Sequence, residues 1–132
     1  MLRTLLVDDN TSFRHSFREH LCQHAPGMDV VEAGSVRDAL AKFAETSPDM
    51  VFIDIDLDGE SGLELTRTLR EHHAYTPIAI LTNHDLPEYR EAARESGANY
   101  FFSKSASSME EVLTLLDSVS FERQRRGELE IP

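Results

Sequence analysis

Short, unbroken apolar runs alternate along this chain with longer segments whose apolar residues recur every three or four positions. The runs are Thr4-Leu5-Leu6-Val7, Val51-Phe52-Ile53, Ile78-Ala79-Ile80-Leu81 and Tyr100-Phe101-Phe102. Runs this short, bounded by polar residues, predict strands buried on both faces. A weaker run from Met28 to Ala33 predicts another strand. In the intervening segments Phe13, Phe17 and Leu21 form one helical stripe. Val36, Ala39, Leu40 and Phe43 are the expected buried face of a second helix, which stops before Pro48. Leu65 and Leu69 mark a third, Pro87 to Gly97 a fourth, and Met109, Val112, Leu113, Leu116 and Val119 a fifth.

Helix start and stop signals agree with these periods. Ser35 with Asp38, and Ser61 with Glu64, have capping-box spacing, and Ser107-Ser108 precede the last helix. Pro87 suits a first turn, and Gly27 and Gly97 suit helix ends. Strand and helix alternate five times, which predicts a parallel sheet covered by helices on both faces. Residues 1–120 form the expected domain, and residues 121–132 a helical extension or linker.

Composition narrows the function. A chain of 132 residues, 40% hydrophobic and 28% charged, has the make-up of one soluble globular unit. No apolar stretch approaches the ~20 residues that span a bilayer, and the N-terminus lacks signal-peptide anatomy. A single cysteine, Cys22, excludes an internal disulfide and fits a reducing compartment, so a cytoplasmic location is expected. The net charge of -11 opposes binding to nucleic-acid phosphates. Arg123, Arg125 and Arg126 are diluted by Glu122, Glu128 and Glu130, so a protein partner is expected. His20 and His24 read as surface histidines, and His72-His73 as the end of the third helix.

The four strong runs lead into reactive residues: Asp8-Asp9, Asp54, Thr82 and, through Ser103, Lys104. In one parallel sheet these line a single edge, where open α/β sheets bind ligands. Asp54 is a candidate nucleophile toward phosphorus. Two carboxylates ~4 Å apart repel by about 4 kcal/mol at an effective dielectric near 20. Such crowding calls for a cation, and an all-oxygen ligand set selects a hard one, Mg2+ or Mn2+. Lys104 is then expected to pair with one phosphoryl oxygen and the Thr82 hydroxyl with another. Taken singly, Asp8 and Asp9 also suit a helix cap, and Asp54 or Thr82 a loop cap.

Leu6-Val7-Asp8-Asp9-Asn10, Asp54 with Gly59 and Gly62, Leu81-Thr82, and Gly97-Ala98 with Lys104 seven residues beyond the glycine form one set. The set resembles the receiver (phosphoacceptor) domain of bacterial two-component response regulators over residues 2 to 120. The resemblance implies a flavodoxin-like (βα)5 three-layer fold with strand order 2-1-3-4-5. It implies that Asp54 accepts a phosphoryl group from a histidine kinase or histidine phosphotransfer protein, without being a turnover enzyme. Asp9 would ligate Mg2+ directly, Asp8 mainly through water, and Asp56 through its backbone carbonyl. Thr82 and Phe101 would form the switch pair, and Asp56 and His84 would tune hydrolysis of the acyl phosphate. The first helix near Asn10, Thr11, Arg14 and His15 would dock the kinase, and the face around Phe101 would meet a downstream protein or a second copy.

Three positions depart from the family pattern. Ser105 stands where proline is usual, Leu57-Asp58 replaces a common hydrophobic-proline pair, and Phe101 replaces the most frequent tyrosine. Three other readings remain open. The chain could serve a DNA-binding transcriptional regulator, or be an interaction module that is not phosphorylated. Asp54-Ile55-Asp56-Leu57-Asp58-Gly59 also resembles the nucleophile motif of haloacid-dehalogenase-type phosphatases. That family places its motif on the first strand of a longer chain.

Overall fold

Five parallel strands, β1 (Arg3–Val7), β2 (Asp29–Ala33), β3 (Met50–Ile53), β4 (Ile78–Thr82) and β5 (Tyr100–Ser103), lie in the order β2-β1-β3-β4-β5. This is the flavodoxin-like order that the resemblance implies. The structure is a computed structural model that describes residues 2–104 and 109–130, with side chains to residue 125. The Ser105 departure and the Ser107-Ser108 helix start lie outside the described residues. Five helices connect and cover the strands: α1 (Thr11–His24), α2 (Val36–Thr46), α3 (Gly62–His72), α4 (Pro87–Ser96) and α5 (Met109–Glu130).

Strand alternation divides the core in two. Leu5, Val7, Val51, Ile53, Ile78 and Ile80 point to the face covered by α2, α3 and α4. Leu6, Phe52, Ala79 and Leu81 point to the other face, where Phe17 and Leu21 of α1 and Val112 and Leu116 of α5 cover them. Phe17 meets Phe52 edge-on at 5.3 Å between ring centres, and burying each such ring stabilises the fold by roughly 1.5–3 kcal/mol. Every residue of β3 and β4 is buried, whereas β2 and β5, at the sheet edges, are only partly so. The edge position accommodates the polar residues Asp29 and Glu32 within β2, whereas β5 keeps an apolar run at its edge.

Caps follow the predicted positions with small corrections: α1 ends on its C-cap Ala25, two residues before the expected Gly27. Ser35 and Ser61 accept the Asp38 and Glu64 amides at 3.1 and 3.2 Å. The Asp38 carboxylate, expected to serve first-turn amides, instead bonds Lys42 at 3.1 Å. Leu40, expected in the core, is 38% exposed because α2 turns Ala39 and Phe43 inward. Leu115 joins the buried face of α5. The α5 helix continues through Phe121 to Glu130.

One element escaped the periodic reading. Asp56–Leu57 and Glu60–Ser61 pair as a small antiparallel hairpin. Its turn residues, Asp58 and Gly59, have φ of +48° and +86°, as a two-residue type I′ turn requires. Leu57 pins it to the core with no exposed surface. The hairpin delivers the chain to Gly62, where a Cβ would stand 1.8 Å from the Asp54 carbonyl oxygen. Gly62→Ala is therefore expected to cost about 3 kcal/mol, the upper end for overpacking. Gly59→Ala has open space and should cost only about 1 kcal/mol for its left-handed backbone. Urea denaturation of the two variants measures the order.

Candidate functional site

Sheet register sets the geometry of the carboxyl edge. Val7 lies opposite Ile53, so Asp8 and Asp54 leave neighbouring strands at one level. Their amides are still held by the sheet, at 3.0 Å to the Ala33 and Val7 carbonyl oxygens. Thr82 lies opposite Ser103, and the Lys104 amide donates to the Thr82 carbonyl at 2.8 Å. Asp8, Asp54 and Thr82 are buried, and Asp9 is exposed. Asn10 takes the helix-cap role that either acidic residue could have filled. Its side chain accepts the Phe13 amide at 3.0 Å, while its own amide donates to Asp8 Oδ1 at 2.9 Å.

Lys104 closes the cluster. Its Nζ is 2.6 Å from Asp8 Oδ2 and 3.0 Å from Asp54 Oδ2, and lies 4.1 Å from the centre of the Phe13 ring. The sequence alone predicts that a metal relieves the carboxylate charge and that Lys104 pairs with the phosphoryl group. In the structure the ammonium itself offsets the two carboxylates. Burial raises the Asp8 carboxyl above its ordinary value, although Lys104 and the Asn10 amide pull it back. Burial works against the Lys104 charge too, but the two aspartates outweigh it and hold its pKa up.

The donor set fits a hard divalent cation. One oxygen each from Asp8, Asp9 and Asp54 lie within 4.8 Å of one another, close enough for a cation with ~2.1 Å bonds to draw together. Asp56 adds no carboxylate to this group; its side chain turns outward and pairs with His84 Nε2. The His84 ring also lies 4.9 Å from that of Tyr89, and its amide donates to the Thr82 hydroxyl at 3.3 Å. Phe101 is half-buried beneath Arg90, whose guanidinium sits 4.7 Å above the ring and is held by Asp85 at 2.8 Å.

Other candidate groups remain apart. His20 bonds the Ser16 carbonyl and His24 bonds Asp117, each at the surface. Arg14, assigned to the docking face, is only 15% exposed, whereas His15 stands outward. A cleft of about 870 Å³ between α5 and residues 72–77 contains none of the site residues.

The sequence matches the response regulator receiver domain family over residues 4–117. The chain belongs to that family. Among its relatives, this receiver domain is 36% identical over 115 residues to the transcriptional regulatory protein TrcR of Mycobacterium tuberculosis, covering 87% of this chain and 44% of that protein. It is 37% identical over 102 residues to the transcriptional activator protein ExaE of Pseudomonas putida, covering 77% and 48%. The receiver domain therefore spans about half the length of these relatives. Among solved structures, the chemotaxis protein CheY4 of Vibrio cholerae aligns with a TM-score of 0.78 at 30% identity, over 90% of this chain and 98% of that one.

Two outcomes test the electrostatics of this receiver domain. Lys104→Ala leaves two buried carboxylates without their counter-ion and should cost about 3 kcal/mol without metal. Added Mg2+ should raise its melting temperature more than that of the unaltered protein. Asp8, whose carboxyl is raised by folding, contributes stability in acid that is lost as pH rises through that raised value. A bound cation needs the ionised form and reverses the trend. The Mg2+-induced rise in melting temperature should thus be larger at about pH 7.5 than at about pH 5, as read by calorimetry at constant ionic strength.

Proposed function

We propose that this receiver domain is phosphorylated on Asp54 by a sensor histidine kinase or histidine phosphotransfer protein. The observation that carries the reading is the convergence of Asp8, Asp9, Asp54 and Lys104 at one sheet edge. An Asp54 carboxylate oxygen attacks phosphorus as the P–N bond to the donor imidazole breaks, and the departing imidazole takes up a proton. Mg2+ or Mn2+, held by Asp8, Asp9, Asp54 and the Asp56 carbonyl, supplies charge neutralisation for the phosphoryl oxygens when bound. Lys104 exchanges its Asp54 contact for a phosphoryl oxygen, and the Thr82 hydroxyl turns to donate to another. Phe101 then rotates into the space behind Thr82. The chain catalyses its own phosphorylation and dephosphorylation without being a turnover enzyme. The Asp56–His84 pair joins the loops that leave β3 and β4, which supports a role for both residues in the lifetime of the aspartyl phosphate.

Partner and output follow from the same reading. A cleft of about 210 Å³ beside Lys104, walled by Phe13, Phe17, His20 and Met109, suits an apolar side chain of the phosphodonor helix. Among the described residues no helix is long and apolar enough to cross a membrane, consistent with action in the cytoplasm. The phosphorylated form signals through a downstream protein or a second copy, and this segment itself binds no nucleic acid. A second reading, service to a DNA-binding transcriptional regulator, is favoured by the likeness to TrcR and ExaE.

Intact mass after incubation with acetyl phosphate and Mg2+ tests the proposal. The unaltered chain should gain one phosphoryl group, and Asp54→Asn none. Lys104→Ala should gain it about 100-fold more slowly, the usual loss on removing one group that stabilises transition-state charge. Asp56→Asn and His84→Ala should alter the decay rate. Labelling of Asp54→Asn at the unaltered rate overturns the assignment.

A further inference from the structure

Arg14 reaches from α1 to the backbone of the acidic pair. Its Nη1 donates to the Asp8 carbonyl oxygen, which belongs to the peptide joining Asp8 to Asp9. Its Nε donates to Glu32 Oε1 on β2 at 3.2 Å, and both side chains are only 15% exposed. Nη2 lies 3.5 Å from the Thr11 hydroxyl. The space beside the guanidinium is left by Gly34, where a Cβ would stand 3.3 Å from Nη1. Glu32 is itself steadied, since it also receives Arg18 at 3.3 Å.

The two carboxylates of the pair differ in how they are held. Asp8 is fixed by Lys104 and by the Asn10 amide. Asp9 is exposed, and among the described residues no group bonds its carboxylate. Its direction therefore depends on the backbone either side of it. Asn10 anchors the following residue to the helix start, and Arg14 anchors the preceding peptide.

We propose that Arg14 is a positioning residue for the cation site, fixing the Asp8–Asp9 peptide so that the Asp9 carboxylate faces Asp8 and Asp54. The inference rests on the reading of those carboxylates as a Mg2+ site. Glu32 offsets the guanidinium charge, so Arg14 acts by geometry. That gives its removal a distinctive sign. As a mere repelling charge, Arg14 would weaken Mg2+ binding, and its loss would tighten it. As a purely structural residue, its loss would lower the melting temperature and leave Mg2+ affinity unchanged. As a positioning residue, its loss weakens Mg2+ binding.

Isothermal titration of the full chain with Mg2+, paired with melting curves, separates these cases. Arg14→Gln should bind Mg2+ about 10-fold more weakly, the usual effect of losing a group behind a metal ligand. Arg14→Lys, which keeps the charge but lacks the planar fork, should recover only part of the affinity. Unchanged or tighter binding by a folded Arg14→Gln overturns the proposal. Should Arg14→Gln fail to fold, Arg14→Lys decides, because it keeps the charge and loses only the planar fork. Weaker Mg2+ binding by that variant upholds the proposal and unchanged binding overturns it. Failure of the unaltered chain to bind Mg2+ overturns the metal-site reading and this inference together, whereas normal binding by both chains overturns the inference alone.

Discussion

Asp8 and Asp54 leave adjacent strands at the same level and are both buried, an arrangement the fold tolerates because Lys104 lies 2.6 and 3.0 Å from their oxygens. The compensation is incomplete. Burial still holds the Asp8 carboxyl above its ordinary value despite the ammonium beside it. Two charges in water would lose less, so the cluster stores an unsatisfied demand for positive charge. A divalent cation meets that demand better than one shared ammonium. Once it does, Lys104 is no longer needed by both carboxylates and becomes available to an incoming anion. On the proposed reading, the lysine is a placeholder in the metal-free state and a phosphoryl partner afterwards.

Everything that aims these groups lies outside the cluster. The β1–β3 register sets the level of the two aspartates, and β4–β5 pairing sets Thr82 against the residue before Lys104. Of the helices that begin at this edge, α1 is set by the Asn10 cap and α3 starts at Gly62, packed against the Asp54 carbonyl. The opposite edge is built differently. There Arg3 pairs with Asp29 and bonds Asp49 through its amide, and Asp49 also meets Arg123 from α5. Those charges lie at a partly exposed surface, where each has an opposite charge beside it. The cleft at that end thus has volume without convergent chemistry.

The sequence made the sheet and the chemical edge legible because both arise from local patterns. Buried strands gave apolar runs, and each run led into a side chain that the register later brought together. Caps at Ser35 and Ser61 were readable for the same reason. What was not legible depended on distance across the fold. The hairpin around Asp58-Gly59 carried a turn signal, but its strands are too short for a period-two pattern. Gly62 looked like part of a capping box, and only its approach to Asp54 reveals why no side chain fits. Arg14 read as an exposed helix residue, since nothing local indicates that Glu32, eighteen positions away, draws it inward. Lys104 was placed at the right edge, but nothing local indicates that it offsets both Asp8 and Asp54.

The region that would report phosphorylation is held by weak contacts. Thr82 accepts one amide hydrogen bond from His84, worth about 1 kcal/mol net. Phe101 is capped by Arg90 through a cation–π contact worth about 0.5–1 kcal/mol where water reaches it. Moving Thr82 and turning Phe101, as the proposed switch requires, therefore gives up about 2 kcal/mol by these two values. Hydrogen bonds to a charged group each contribute roughly 1.5–3 kcal/mol. Lys104 would exchange one anionic partner for another, so the new bond from Thr82 to a phosphoryl oxygen would meet the loss with only a small margin. A margin of that size shifts populations without locking either state. It also makes the few contacts around α4, those of Asp85, Tyr89 and Arg90, the natural determinants of how far the balance moves.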